Sequence, residues 1–156
     1  MPTRRALRLF EEYAQSHRNP LNLRVHWIAV PVIFFSTLGL LHAVPGMDAS
    51  VYGTVQVIDL VLAAVLLYYA SLSVGLAIGM GLFIVLCEWL IGELRFHAPW
   101  PLWAICSVLF AGAWTAQFLG HRVEGRKPSF LKDVQFLLVG PAWLLAKSYN
   151  RTGIPY

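Results

Sequence analysis

Between Val25 and Gly120 the chain returns repeatedly to apolar runs long enough to cross a lipid bilayer. Nothing else in the sequence restricts its fold so severely. A spanning segment must satisfy its own backbone groups, so it is a helix of about 20 largely apolar residues. Residues 25–43 supply one such run. The stretch from Val51 to Leu90 is about twice a span and reads as a hairpin turning at Ser71-Leu72-Ser73. Leu102 to Gly120 supplies another span. The expected fold is therefore all-α: one integral membrane domain over 1–156, a bundle of about four transmembrane helices with approximate spans 25–43, 53–70, 74–91 and 102–120. Only 13% of the residues are charged, too few to clothe so much apolar surface in water.

The flanks read differently. Thr3 to Ser16 patterns as an amphipathic helix for the interface, with Leu7, Phe10 and Ala14 on one face. Pro20 is expected to interrupt that helix and Asn22 to cap the next. Pro31 predicts a kink, Pro45-Gly46 a loop, and Pro128 the start of a last segment. The apolar run 136–146 is too short to span, so an interfacial or re-entrant helix is expected there. The arginine-rich start is not followed by the short apolar core of a cleavable leader. Cys87 and Cys106, both in apolar runs, read as small buried hydrophobes.

Four spans impose a parity. The N-terminus, the Ser71 turn and the end of the last span share one side; the Pro45 loop and the 92–101 loop share the other. Arg4, Arg5, Arg8, Arg18, Arg24, Arg122, Arg126, Lys127 and Lys132 fall on the first side, and Arg95 on the second. This bias makes the first side cytoplasmic and accounts for the net charge of +4 without a nucleic-acid partner. The expected location is a bacterial inner membrane or the endoplasmic reticulum.

His17, His26, His121 and Glu124 then lie on the cytoplasmic side, and His42 and His97 on the other. Tyr13 and His17 are four apart, on one helix face. Gln117, His121 and Glu124 follow an i, i+4, i+7 stripe. Imidazoles with a carboxylate are a usual ligand set for mononuclear non-haem iron, so the four residues are a candidate metal site. Tyr13, Asn22 and Gln117 are candidates to orient the imidazoles or hold a substrate carboxylate. Duller readings stand beside these. Each histidine alone is an ordinary interfacial anchor, and Glu124 alone a solvated partner of Arg122 or Arg126. Asp59 and Glu88 suggest either a proton path or pairing near the interface.

Two stretches carry a family resemblance. One is Tyr13-x3-His17-x2-Pro20-x-Asn22-x3-His26 followed by Pro31; the other is Gln117-Phe118-x-Gly120-His121-x2-Glu124-x3-Pro128. From Phe10 to about Trp143 the chain resembles the fungal endoplasmic-reticulum 2-hydroxy fatty acid dioxygenase family, small multi-pass membrane proteins of phytosphingosine breakdown. The resemblance implies Fe(2+) as cofactor, dioxygen and a 2-hydroxy fatty acid as substrates, and loss of one carbon by alpha-oxidation. It implies metal roles for His17, His26 and His121. Several family members carry one more residue between the histidine and the glutamate of the second motif. The alternative from another class is a non-catalytic membrane scaffold or lipid-binding protein.

Overall fold

The computed structural model describes residues 2–44, 47–49, 53–125 and 135–156. Among them are six helices: α1 (Arg4–Ala14), α2 (Pro20–Leu41), α3 (Val57–Leu72), α4 (Val74–His97), α5 (Leu102–Glu124) and α6 (Phe136–Thr152). A short antiparallel hairpin of β1 (Met47–Ala49) and β2 (Gly53–Val55) precedes α3. The fold is a helical membrane bundle. The Pro45-Gly46 and Pro128 signals, with Arg126, Lys127 and Lys132, lie outside the described residues.

α2, α4 and α5, with 22, 24 and 23 residues, are long and apolar enough to cross a membrane. α3 has 16 residues and reaches about 24 Å, short of a hydrocarbon core of about 30 Å. The hairpin takes the residues expected to begin that helix. Val74, Ile78, Leu82, Val85 and Trp89 form an exposed apolar stripe along α4, a face suited to lipid. Ser73 alone, in extended conformation, separates α3 from α4, as the turn signal predicts.

α2 and α5 pack antiparallel along most of their length. Their backbones close up where a side chain on one meets a glycine on the other. A Cβ on Gly120 would lie 2.6 Å from Asn22 Oδ1, and one on Gly39 would collide with Cys106. Both cysteines are buried and free.

Three local expectations are corrected. Pro20 does not break a helix; it opens α2 at its first turn, where its missing N–H is an orphan anyway. The cap is Asn19, whose Oδ1 accepts from the Leu21 N–H at 2.8 Å, and Asn22 is fully buried inside the helix. The buried face of α1 is Ala6, Leu9, Phe10 and Tyr13, whereas Leu7 is exposed. α1 packs on α6, and its N-terminal Thr3 N–H donates to the Leu72 carbonyl at 2.9 Å.

α6 runs helical straight through Gly140-Pro141 and is buried along much of its length, from Phe136 to Ala146. Gly140 is needed there, because a Cβ would come within 2.7 Å of the Tyr13 hydroxyl. The Tyr69 hydroxyl donates to the Leu138 carbonyl at 2.9 Å and ties α3 to α6. At the opposite end of the bundle His42 Nε2 pairs with Glu88 at 2.8 Å, and Asp59 accepts from the Gln56 N–H at the start of α3. His97 is exposed and pairs with Glu93.

Candidate metal centre

The stripes that bury each helix end in polar residues at one end of the bundle. On α1 the stripe Ala6, Leu9, Phe10, Tyr13 continues past the helix to His17. On α2 it runs from Asn22 and His26 to Ala29 and Val30; on α5 it ends with Ala113, Gln117, Gly120 and His121. His17, His26 and His121 are all buried, and each offers a ring nitrogen within 4.8 Å of the others. The His17 ring centroid is 4.3 Å from that of His26 and 4.9 Å from that of His121.

The hydrogen bonds around these rings leave nitrogens bare. His17 Nδ1 lies 2.8 Å from the Tyr13 carbonyl, which can only accept, so the proton is on Nδ1. Its Nε2 is buried and has no hydrogen-bond partner among the described residues; the same holds for His121 Nδ1. His26 is held at both nitrogens, by the Tyr13 hydroxyl on Nε2 at 3.0 Å and by the Gln117 amide on Nδ1. Orphaned buried nitrogens are costly, and a cation between the three rings would satisfy them. The donor set therefore fits a metal ion.

Tyr13 and Gln117 both touch His26, whereas Asn22 bonds the Ser16 carbonyl and Glu124 rather than a ring. Burial pushes the Tyr13 phenol up, which keeps its proton. Trp143 of α6 packs 5.5 Å from His17 and 6.0 Å from His26, and no pattern in the sequence marks it.

Glu124 is placed differently from the ligand expected of it. Its oxygens accept from the Arg18 N–H at 3.0 Å, the Asn19 N–H at 2.8 Å and the Asn22 side-chain amide at 3.1 Å. Three donors converge on one carboxylate, and it is not a member of the three-histidine group. Glu124 instead clasps the segment that carries His17 to the end of α5. Asn22 relays this, since its amide also donates to the Ser16 carbonyl at 3.2 Å.

Arg24 and Arg122 are exposed. Among the described residues, a cation that approaches the cluster is Lys147, whose Nζ sits 3.9 Å from the Trp143 ring centre. Partial burial, and then Arg151, push its ammonium pKa down.

Desolvation lowers the His17 pKa to about 4, against an ordinary 6.5. At neutral pH the ring is uncharged and its lone pair is free for a metal. Between about pH 6.5 and 4 the unfolded chain binds a proton here that the folded chain refuses, so stability must fall as pH drops through that window. Metal-stripped protein is expected to lose up to about 3 kcal/mol from this group. Thermal unfolding in detergent from pH 7 to 4 checks it: the slope should flatten in His17→Asn, and an unchanged slope would refute the assignment.

Comparison with known proteins bears on all of this. A family described as Mpo1-like, 2-hydroxy-palmitic acid dioxygenase Mpo1-like, matches residues 4–152. The 2-hydroxy-palmitic acid dioxygenase MPO1 of Saccharomyces cerevisiae is 27% identical over 143 residues, covering 90% of this chain and 78% of that protein. No solved structure matches.

Proposed function

Because the chain belongs to the Mpo1-like family, we propose that it is an iron(II)-dependent dioxygenase that shortens a 2-hydroxy fatty acid by one carbon at the membrane interface. The observation that carries the reading is the buried trio His17, His26 and His121, with bare nitrogens on His17 and His121. Ferrous iron held by these three would supply one-electron chemistry toward dioxygen and open positions for oxygen ligands.

The residues of the chain set the rest. Three neutral imidazoles bring no negative charge, so the substrate's own carboxylate would supply the anion that balances a bound dication. Lys147, on the Trp143 face, is the group that draws this carboxylate in. In this reading His26 offers Nε2, its Nδ1–H donates to Gln117 Oε1, and that bond sets the tautomer. The Tyr13 hydroxyl, 3.0 Å from Nε2, would then be free to donate to the substrate. Glu124 and Asn22 hold His17 in register. Breaking the C1–C2 bond with dioxygen as oxidant balances as shortened acid, carbon dioxide and water.

The topology belongs to the same proposal. α2 to α5 make four crossings of one membrane domain, with the cluster on the cytoplasmic side, and α3 crosses despite its length. The membrane is a bacterial inner membrane or that of the endoplasmic reticulum.

Anaerobic reconstitution with ferrous iron, followed by mass spectrometry of products from a 2-hydroxy fatty acid under dioxygen, tests the activity. One iron per chain and a product one carbon shorter are expected. Protein with neither would be a lipid-binding or scaffold protein instead. Lys147→Met should raise KM at least about tenfold while moving kcat less, as loss of a charge-assisted contact does.

A further inference from the structure

A cavity of about 440 Å³ leads away from the histidine cluster into the bundle. Its near end is formed by Tyr13, Gln117 and His121. Beyond these three its walls are almost wholly apolar, contributed by α2, α3, α5 and α6. On α2 the lining runs from Val30 to Leu41, a depth of about 16 Å along the helix axis. On α5 it runs from His121 back to Phe110; because Asn22 lies opposite Gly120 and Gly39 opposite Cys106, this stretch is staggered toward the cluster, and the two together reach from the level of Asn22 to that of Leu41, about 28 Å. A volume of this size over this depth leaves a mean cross-section of roughly 16 Å², a slot no wider than a single alkyl chain.

The two ends differ in chemistry. The near end carries the ring nitrogens and amides of the cluster. The far end carries no charged side chain among its lining residues. There the slot runs into a second packed core of Leu38, Ile58, Cys87 and Ile91, with Leu41 and Leu62 against it. One side is less closed: Phe34, Val65 and Phe110 are only half-buried and Thr37 is exposed, so lipid-dissolved molecules reach the slot from the bilayer. A polar mouth at a candidate metal, a dry single-file slot and an apolar floor suit a molecule with an acid head and one unbranched tail.

We propose that this slot holds the tail of the 2-hydroxy acid, and that the floor around Leu38, Leu41 and Leu62 measures its length. The inference rests on the activity proposed above for the head group. At about 1.3 Å of rise per methylene, the zigzag projection of a carbon–carbon bond, the slot takes about twenty carbons. Longer tails must leave through the open side, and shorter ones leave apolar wall uncovered.

Two measurements separate the slot from the activity. The first is kcat/KM across saturated 2-hydroxy acids of increasing length, for wild type, Leu62→Trp and Leu62→Ala. Leu62 is half-buried, so both variants alter the floor without opening the main core. Leu62→Trp should move the optimum down by about three carbons and disfavour the former best substrate at least about tenfold against it, and Leu62→Ala should move the optimum up. The second uses a 2-hydroxy acid with a photoreactive diazirine at its tail end, followed by peptide mapping. Label is expected on 38–41 and 61–62. Label on the lipid-facing stripe of α4, or an optimum that neither variant moves, would overturn the slot while the activity stands. Label on the floor with no turnover of any acid would leave a fatty-acid-binding slot and overturn the dioxygenase reading.

Discussion

His17→Ala, His26→Ala and His121→Ala are each expected to lose iron and turnover, whereas His42→Ala and His97→Ala keep both. The first three rings meet at one point from three segments of chain, and removing one leaves two donors for an ion that needs at least three. His42 pairs with Glu88 in a separate contact, and His97 is exposed. The measurement is iron per chain and product formed, with circular dichroism to show that each variant is folded. Folding matters here because metal affinity and bundle stability are linked. Retention of iron by His121→Ala together with its loss from His42→Ala would move the site to the other end of the molecule.

Glu124→Gln is expected to lower iron affinity about 10–100-fold and to leave the metal's absorption spectrum unchanged. The carboxylate accepts from two backbone N–H groups and one amide; a carboxamide puts a donor where one of those donors must go. The His17 segment then loosens against α5, but the ligand atoms stay the same. A changed spectrum would show that Glu124 itself touches the ion. Wild-type affinity would reduce it to a solvated surface group.

The two expectations differ in how the sequence could reveal them. The three histidines were readable as a group because they flank the apolar runs, and antiparallel packing such as that of α2 on α5 returns the start of one helix to the end of another. The stripe Gln117, His121, Glu124 was readable because helix geometry puts such spacing on one face. What Glu124 binds was not, since two of its three partners are backbone N–H groups that any residue supplies. Asn22 gave a capping signal, and neighbouring Asn19 carries the cap; the same side-chain chemistry serves both, and Pro20 at the first turn is the arbiter. Leu7 misled because one apolar residue fits more than one helical stripe. α6 was legible as an apolar segment but not as the cover of the site, because a run too short to span points to the interface, and only the fold buries it against α1. Lys147 and Trp143 carry no motif at all; only the fold brings them near the histidines.

The Glu124 clasp has a consequence for how the protein could gain and lose its ion. Its hydrogen bonds join residues more than a hundred positions apart, and an ion between His17 and His121 would close almost the same loop of chain. Closing a loop that long removes about 4–5 kcal/mol of chain entropy from the unfolded state when the link is permanent. Here a reversible stitch of hydrogen bonds lies directly beside the metal stitch. If the proposed iron site is right, an apoprotein that keeps the first would release iron without its two ends parting, and take it up again without having to find them.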